Sequence, residues 1–262
     1  MVTREPVRSA RIVVMTVSCL SPRRLVGAPE LFTAAGADAY TRMTVTDDVV
    51  GYATDEAVAW FTGVPWQSGA VSLRGRAHAA IDLLEWLREE EPLGPGAPVR
   101  LPLLSTAEFE RLPVRRDEDW YFLATERAPR RRRGESAVEV LPSGENERIE
   151  RLLRDGHPAT SAEPRAPGIR RWFGIHDGER LVACGADRSV NGVGFLVKIT
   201  VDPAYGGRGL GSALTAAMTR ALLAEFGEVA LGVTVDNARA IGLYERLGYR
   251  EVAGVSSVRL TG

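Results

Sequence analysis

The residues most suggestive of chemistry lie in Val201–Leu214, VDPAYGGRGLGSAL, where Gly206, Gly207, Gly209 and Gly211 fall within six positions and helix formers follow. Glycine at that density lets a backbone come close to a bulky group with no Cβ in the way. Where such a loop opens a helix, the unpaired N–H groups of the first turn and the positive end of the dipole make a site for an anion. Arg208, inside the loop, would add a charge-assisted contact. Three glycine-loop patterns compete. A Walker A loop needs Lys and then Ser or Thr after its last glycine. Gly206 and Gly211 have that spacing, but Ser212 and Ala213 follow, so a nucleoside triphosphate is not the ligand. A GxGxxG fingerprint started at Gly207 or Gly209 ends on Ser212 or Leu214, and Asp202-Pro203 interrupts the tight strand-turn-helix it requires. The pattern that remains is [QR]xxGx[GA], with Gly206 in its first place.

The elements that must position this loop alternate along the second half. AVEVLP (137–142) reads as a short strand. ENERIERLLRDG (145–156) reads as a helix with Ile149, Leu152 and Leu153 on one side. A Pro-rich loop follows at 158–168. Residues 169–190 read as a hairpin turning at Asp177-Gly178. GVGFLVKITVDP (192–203) is a long strand, and Ser212–Phe226 a helix with Leu214, Ala217, Met218, Ala221, Leu222 and Phe226 at helical spacing. A strand at 228–235, a helix at 237–248 with Asn237 at its start and Gly248 at its end, and a final strand at 249–260 complete a mixed α/β architecture.

Bulk properties narrow the function classes. The 262 residues carry a formal net charge of -1, with 45% hydrophobic and 26% charged residues. These are values of an ordinary globular protein with no global field for nucleic acid or anionic lipid. The apolar run at 12–20 is short and reads as a strand rather than a signal or membrane segment, so the cytoplasm is the expected compartment. Cys19 and Cys184, with His78, His157 and His176, have no metal-ligand spacing, so no metal is expected. Of 33 Lys and Arg residues, Lys198 alone is lysine.

On the strand FLVKITVDP, the loop GGRGLG and the later DNARAIGLYERLGY, the chain resembles the GNAT superfamily of acyl-CoA-dependent N-acyltransferases over about 137–260. The resemblance implies acetyl-CoA as cosubstrate. Its pyrophosphate would be held by Gly206, Gly207, Arg208, Gly209, Leu210, Gly211 and Ser212, and its pantetheine arm would lie along main-chain groups of Ile199, Thr200 and Val201. A backbone N–H near Ile199 or Thr200 would polarise the thioester carbonyl, and Asn237 would contact the arm. Tyr244 would be the acid that protonates the departing thiolate. The family has Gln or Arg where Gly206 stands, which removes one side chain near the phosphates. Some members carry a glutamate base on the strand before the loop, where Phe195 falls here. Asp187, Glu163 and Asp155 are the other candidates, and His176 with Asp177 reads as a hairpin tip. Lys198 could grip an acidic acyl group or be solvated or paired.

In the first half, Arg74–Ala79 reads RxxAxA, the loop motif with alanines for glycines, ahead of the helical AHAAIDLLEWLREE and the strand EDWYFLATERAP. The expectation is a tandem of GNAT-like domains, the first degenerate: 1–128 as scaffold, 129–136 as an Arg-rich solvated linker, 137–262 as the catalytic domain. Trp60, Trp66 and Trp120 would shape a cleft between the halves or belong to the core. The expected activity is acetyl transfer from acetyl-CoA to a small-molecule or peptide primary amine by direct attack. A non-catalytic acyl-CoA-binding module stands as the alternative, and nucleic-acid binding through Arg130–Arg133 as a remote one. The acceptor stays open among amino acid, antibiotic, polyamine, protein N-terminus and lysine side chain, as do acyl length and oligomeric state.

Overall fold

The structure is a computed structural model that describes residues 21–64, 69–156 and 163–261. The strand expected at 12–20, Trp66, His157 and part of the Pro-rich loop lie outside the described residues. In the first half, strands β1 (Arg23–Val26), β2 (Val50–Ala53), β3 (Ala57–Phe61) and β4 (Val71–Gly75) are antiparallel neighbours, with helices α1 (Ala28–Ala35) and α2 (Ala39–Thr44) between β1 and β2. Helix α3 (Ala77–Glu90) then crosses to β5 (Pro98–Pro102), parallel to β4, and α4 (Thr106–Glu110) leads to the long β6 (Val114–Thr125).

The second half repeats this order. Strand β7 (Glu139–Leu141), helix α5 (Asn146–Gly156), and the antiparallel β8 (Arg171–Asp177), β9 (Arg180–Asp187) and β10 (Gly194–Val201) come first. Helix α6 (Leu210–Phe226) then crosses to β11 (Val229–Thr234), parallel to β10, and α7 (Ala238–Arg246) leads to β12 (Arg250–Leu260). All twelve strands form one sheet in the order β1-β2-β3-β4-β5-β12-β6-β11-β10-β9-β8-β7. The two final strands are exchanged: β12 pairs with β5 of the first half, and β6 with β11 of the second. They also pair with each other, Val114 opposite Leu260 and Ala124 opposite Arg250, so each strand's start faces the other's end, as a local two-fold requires.

Strand pleating sends alternate residues to opposite faces. On one face, α1 and α2 cover Phe122, Ala124, Phe195, Ala230 and Val255. On the other, α6 covers Leu123, Leu196, Val229 and Leu231, while α3 covers Val71, Leu73, Val99 and Leu101. Tyr40 of α2 packs its ring 5.3 Å from Phe122, which stacks on Phe195 at 5.8 Å, so the first half is tied directly to the strand before the glycine loop. Full burial of each such ring contributes on the order of 2–3 kcal/mol. Trp60 is wholly buried with its indole N–H donating to Thr44, hence core, whereas Trp120 is half-buried and donates to Ser257.

Two expectations are corrected and one is refined. The hairpin turns at Gly178-Glu179, one residue later than read, because Asp177 still pairs with Arg180 and Gly178 takes the positive φ. The Arg-rich segment leaves Arg130, Arg131 and Arg133 exposed but is tethered at its ends: the Pro129 carbonyl accepts from Arg220 of α6, Arg132 donates to the Arg246 carbonyl at 3.0 Å, and Glu135 pairs with Arg220. The RxxAxA stretch is no loop, since Arg74 and Gly75 end β4 and Ala77 begins α3. The helix after it and the repeat of elements are present, without a loop at this junction.

Candidate active site

The rungs between β10 and β11 run only from Gly194/Val229 to Leu196/Leu231. Beyond them the two parallel strands part, which leaves one edge of Val197–Val201 and one of Gly232–Thr234 unpaired across the gap. A β-bulge sits at the parting: Val197 pairs with Ala186 and Thr200 with Cys184, so Lys198 and Ile199 share Gly185 as their partner. Lys198 takes φ 55, a conformation that costs an L residue roughly 1–2 kcal/mol. Bulges of this kind re-aim a strand's groups beside functional sites.

Asp202 closes β10 into the loop. Its carboxylate accepts from the Ala204 N–H at 2.9 Å and pairs with Arg180. Gly207 and Gly209 then adopt φ 77 and φ 80, where glycine is favoured, and a Cβ on either would meet no protein atom within 4 Å. The space beside this turn is therefore left open by the protein. Helix α6 starts with Gly209 as its N-cap and no side chain capping it; its first internal bond is Ala213 N–H to the Gly209 carbonyl at 3.0 Å. The amides of Leu210, Gly211 and Ser212 thus precede any intrahelical partner. They border a cavity of about 700 Å³.

That cavity brings together most of the residues expected from sequence: Ile199, Val201, Gly206, Gly207, Gly209, Leu210, Gly211, Ser212, Asn237 and Tyr244 all line it. Thr200 does not; it is buried on the opposite face and donates its hydroxyl to the Lys198 carbonyl. Arg208 remains exposed, with its guanidinium 4.5 Å from the centroid of the Tyr205 ring. Sequence reasoning missed Tyr205, Arg239, Leu243 and Arg246, which also line the cavity. Arg239, Leu243 and Arg246 follow one another at helical spacing and share a face of α7. That periodicity was the available signal.

Asn237 caps α7 by accepting from the Ala240 N–H at 3.1 Å, and this fixes the rotation of the helix that carries Tyr244. Tyr244 packs its ring 6.0 Å from Tyr249, and burial pushes its hydroxyl up to about 12, so the phenol keeps its proton at neutral pH.

The base candidates do not converge on the gap. Phe195 is buried against Phe122. Asp187 is fully buried, lies 3.2 Å from Arg170 and 3.0 Å from Arg171, and accepts from the Ser189 N–H at 2.9 Å, a structural arrangement. Asp155 is exposed in a separate surface cleft with Arg180 and Asp202. Glu163 is exposed and close enough to Lys198 to favour its charged form. His176, between Glu139 at 2.8 Å and Glu145 at 3.3 Å, ties β8 to β7 and to the turn that precedes α5. No helix among the described residues is long and apolar enough to cross a membrane.

Residues 139–249 match the model of the Acetyltransferase (GNAT) family. No curated protein matches the chain by sequence. Among solved structures, a GCN5-related N-acetyltransferase from Kribbella flavida is 19% identical with a TM-score of 0.51, over 92% of this chain and 90% of that one. An acetyltransferase from the GNAT family of Colwellia psychrerythraea is 10% identical with a TM-score of 0.54, over 92% of this chain and all of that one. At those identities the structures speak for the fold, and they do so across both halves. Residues 139–249 are therefore a domain of the GNAT family of acyl-CoA-dependent acyltransferases, and a GNAT-like fold runs on through the first half of the chain.

Proposed function

We propose that the protein is an N-acetyltransferase that moves an acetyl group from acetyl-CoA to a primary amine by direct attack on the thioester. The observation that carries this reading is the joining, in one cavity, of an uncapped helix N-terminus and a parallel ladder that stops short. The amides of Leu210, Gly211 and Ser212 and the guanidinium of Arg208 hold the pyrophosphate. The unpaired edge of β10 from Ile199 to Val201 receives the pantetheine amides as a sheet edge receives a strand, and the main chain just past the bulge donates to the thioester oxygen as charge develops there. Asn237 and the side chains of Arg239 and Arg246 border the arm. Tyr244 gives its proton to the leaving sulfur, which its raised pKa permits throughout the neutral range. We assign 137–262 as the catalytic unit, 1–128 as the scaffold that lends it β6 and the α1–α2 cover, and 129–136 as the strap between them.

The burial of Phe195 and the pairing of Asp187 favour one second reading, an acyl-CoA-binding module without turnover. Calorimetric titration with acetyl-CoA, CoA and ADP, beside the double variant Gly209→Asp/Gly211→Asp, tests the cradle. Acetyl-CoA and CoA should bind the native chain, and the variant should lose at least about 100-fold in affinity, about 2.7 kcal/mol. Failure of the folded native protein to bind either would end the proposal. Binding without CoA release on any amine of a broad set would select the module.

A further inference from the structure

The last rung between β10 and β11 is Leu196 with Leu231, so Gly232 is the first residue of β11 at the mouth of the gap. Gly232 is exposed although β11 lies inside the sheet and its neighbours Leu231 and Val233 are buried. Those neighbours belong to the core under α6, and pleating turns Gly232 to the opposite face. Its φ is not positive, so the backbone conformation does not call for glycine there. A glycine inside a strand weakens it and marks places where another group comes close.

What the missing side chain uncovers is an aromatic ring. A Cβ at Gly232 would lie 3.5 Å from Cε3 and 3.7 Å from Cζ3 of Trp120, and it would meet no other side chain within 4 Å among the described residues. Trp120 comes from the first half, on β6 opposite Thr234, and packs on the same face as Phe122. Its indole N–H donates to Ser257 of β12 at 2.8 Å, which points the nitrogen to β12 and the benzo edge to β11. The rings of Tyr40 at 6.1 Å and Phe122 at 6.3 Å flank it. The indole is therefore fixed in orientation, and its edge toward Gly232 carries no covering side chain.

We propose that this recess is the acceptor site, and that it takes a primary amine carried on a flat apolar group, an arylalkylamine seated on Trp120 over Gly232. The inference rests on the acetyl-CoA reading above. The coenzyme cavity is lined from the α6 face, by Ile199, Val201, Leu210 and Leu243, which leaves the opposite face of the gap for the acceptor. An amine attacks as the neutral base, so the indole holds the carbon body rather than a charge, as one aromatic ring holds another. A ring over Gly232 lies about one strand spacing, ~4.8 Å, from a chain that fills the gap. A short alkyl arm spans that distance. The nitrogen forms a C–N bond to the thioester carbonyl carbon and the C–S bond breaks. The proton lost by the nitrogen balances the one gained by the sulfur, so the products are the N-acetyl amine and free CoA.

The test is the initial rate of CoA release by the purified full chain with acetyl-CoA and 2-phenylethylamine, n-butylamine or putrescine. The kcat/KM for 2-phenylethylamine should exceed that for either other amine by at least roughly tenfold. Gly232→Val, which places a side chain on the indole edge, should lower it at least roughly tenfold through the KM of the amine, with the Kd of acetyl-CoA held within about twofold. Trp120→Leu should show the same loss. If Trp120→Leu fails to fold, Gly232→Val still decides, since strands favour valine. Equal use of n-butylamine or putrescine, acetyl-CoA binding with no action on 2-phenylethylamine, or an unchanged kcat/KM in Gly232→Val would each overturn the inference. In those cases turnover of any amine keeps the function standing. No acetyl-CoA binding by the folded native chain would overturn both.

Discussion

Two junctions of the molecule join the same kinds of element in opposite ways. In the first half β4 runs into α3 through Arg76 alone, and Gly75 is pressed so close to Glu56 that a Cβ would strike its carbonyl oxygen. In the second half β10 reaches α6 through eight residues, Asp202–Gly209, whose glycines at 207 and 209 face open space. Glycine in the first junction serves packing; in the second a Cβ on Gly207 or Gly209 would meet no protein atom within 4 Å, and the positive φ is what glycine serves. The comparison teaches that a repeated fold can keep its sheet, crossover helix and parallel partner strand while one junction carries a glycine-rich loop and the other none.

The same substitution at the two junctions should separate these roles. Gly75→Ala, at φ 116 with no space for its methyl, should cost about 3 kcal/mol of stability in denaturant titrations and leave CoA affinity unchanged. Next in size, Tyr244→Phe should lower kcat by about 100-fold, about 2.7 kcal/mol of barrier, with CoA affinity held, measured as the initial rate of thiol release. A variant that keeps its kcat would remove Tyr244 from the acid role. Gly207→Ala meets no clash but stands at φ 77, so it should cost about 1–2 kcal/mol of stability, less than Gly75→Ala, and weaken CoA binding by roughly tenfold, or about 1.4 kcal/mol. If instead Gly207→Ala harms only stability, the two junctions do not differ as described.

The smallest expected effect concerns pH. Burial raises the Tyr244 hydroxyl from its ordinary value near 10 to about 12, so the fold favours the protonated form. Its contribution is whole below about pH 10 and is lost as pH rises through about 12. Tyr249 acts in the same direction through its burial, with its bond to Thr219 opposing. Urea midpoints should fall between pH 9 and 11, and Tyr244→Phe should lessen that fall without removing it.

The second half was legible because its signals are local. Asn237 caps a helix, Gly227 at φ 75 ends one, β-branched residues mark β10, and the glycine loop follows from which residues are missing from rival patterns. In the first half α1 and α2 carry end signals, Gly36 at φ 83 after α1 and Asp38 capping α2, but β1 to β3 have no such marks. Helix α1 starts at Gly27 without a capping side chain, and β2 and β3 are only four and five residues long, too short for periodicity to mark them. The alanine-for-glycine reading of Arg74–Ala79 failed for another reason. A one-residue junction and an eight-residue loop differ in backbone path, and only the sheet reveals the path.

By itself the sequence determined that a glycine-rich turn opens α6, that Tyr244 follows at its own spacing on α7, and that a lone lysine stands on the strand before the turn. These are facts of residue type and order, and turn and helix-end chemistry acts over a few residues. Only the tertiary structure decided that β6 and β12 exchange places at the centre of one sheet. Only it showed that β10 and β11 part after three rungs, that Lys198 bulges at the parting, and that Phe195 is held by an aromatic stack from the first half. Pairing across a sheet joins residues more than a hundred positions apart, and no local preference in a chain encodes which distant edge it will meet.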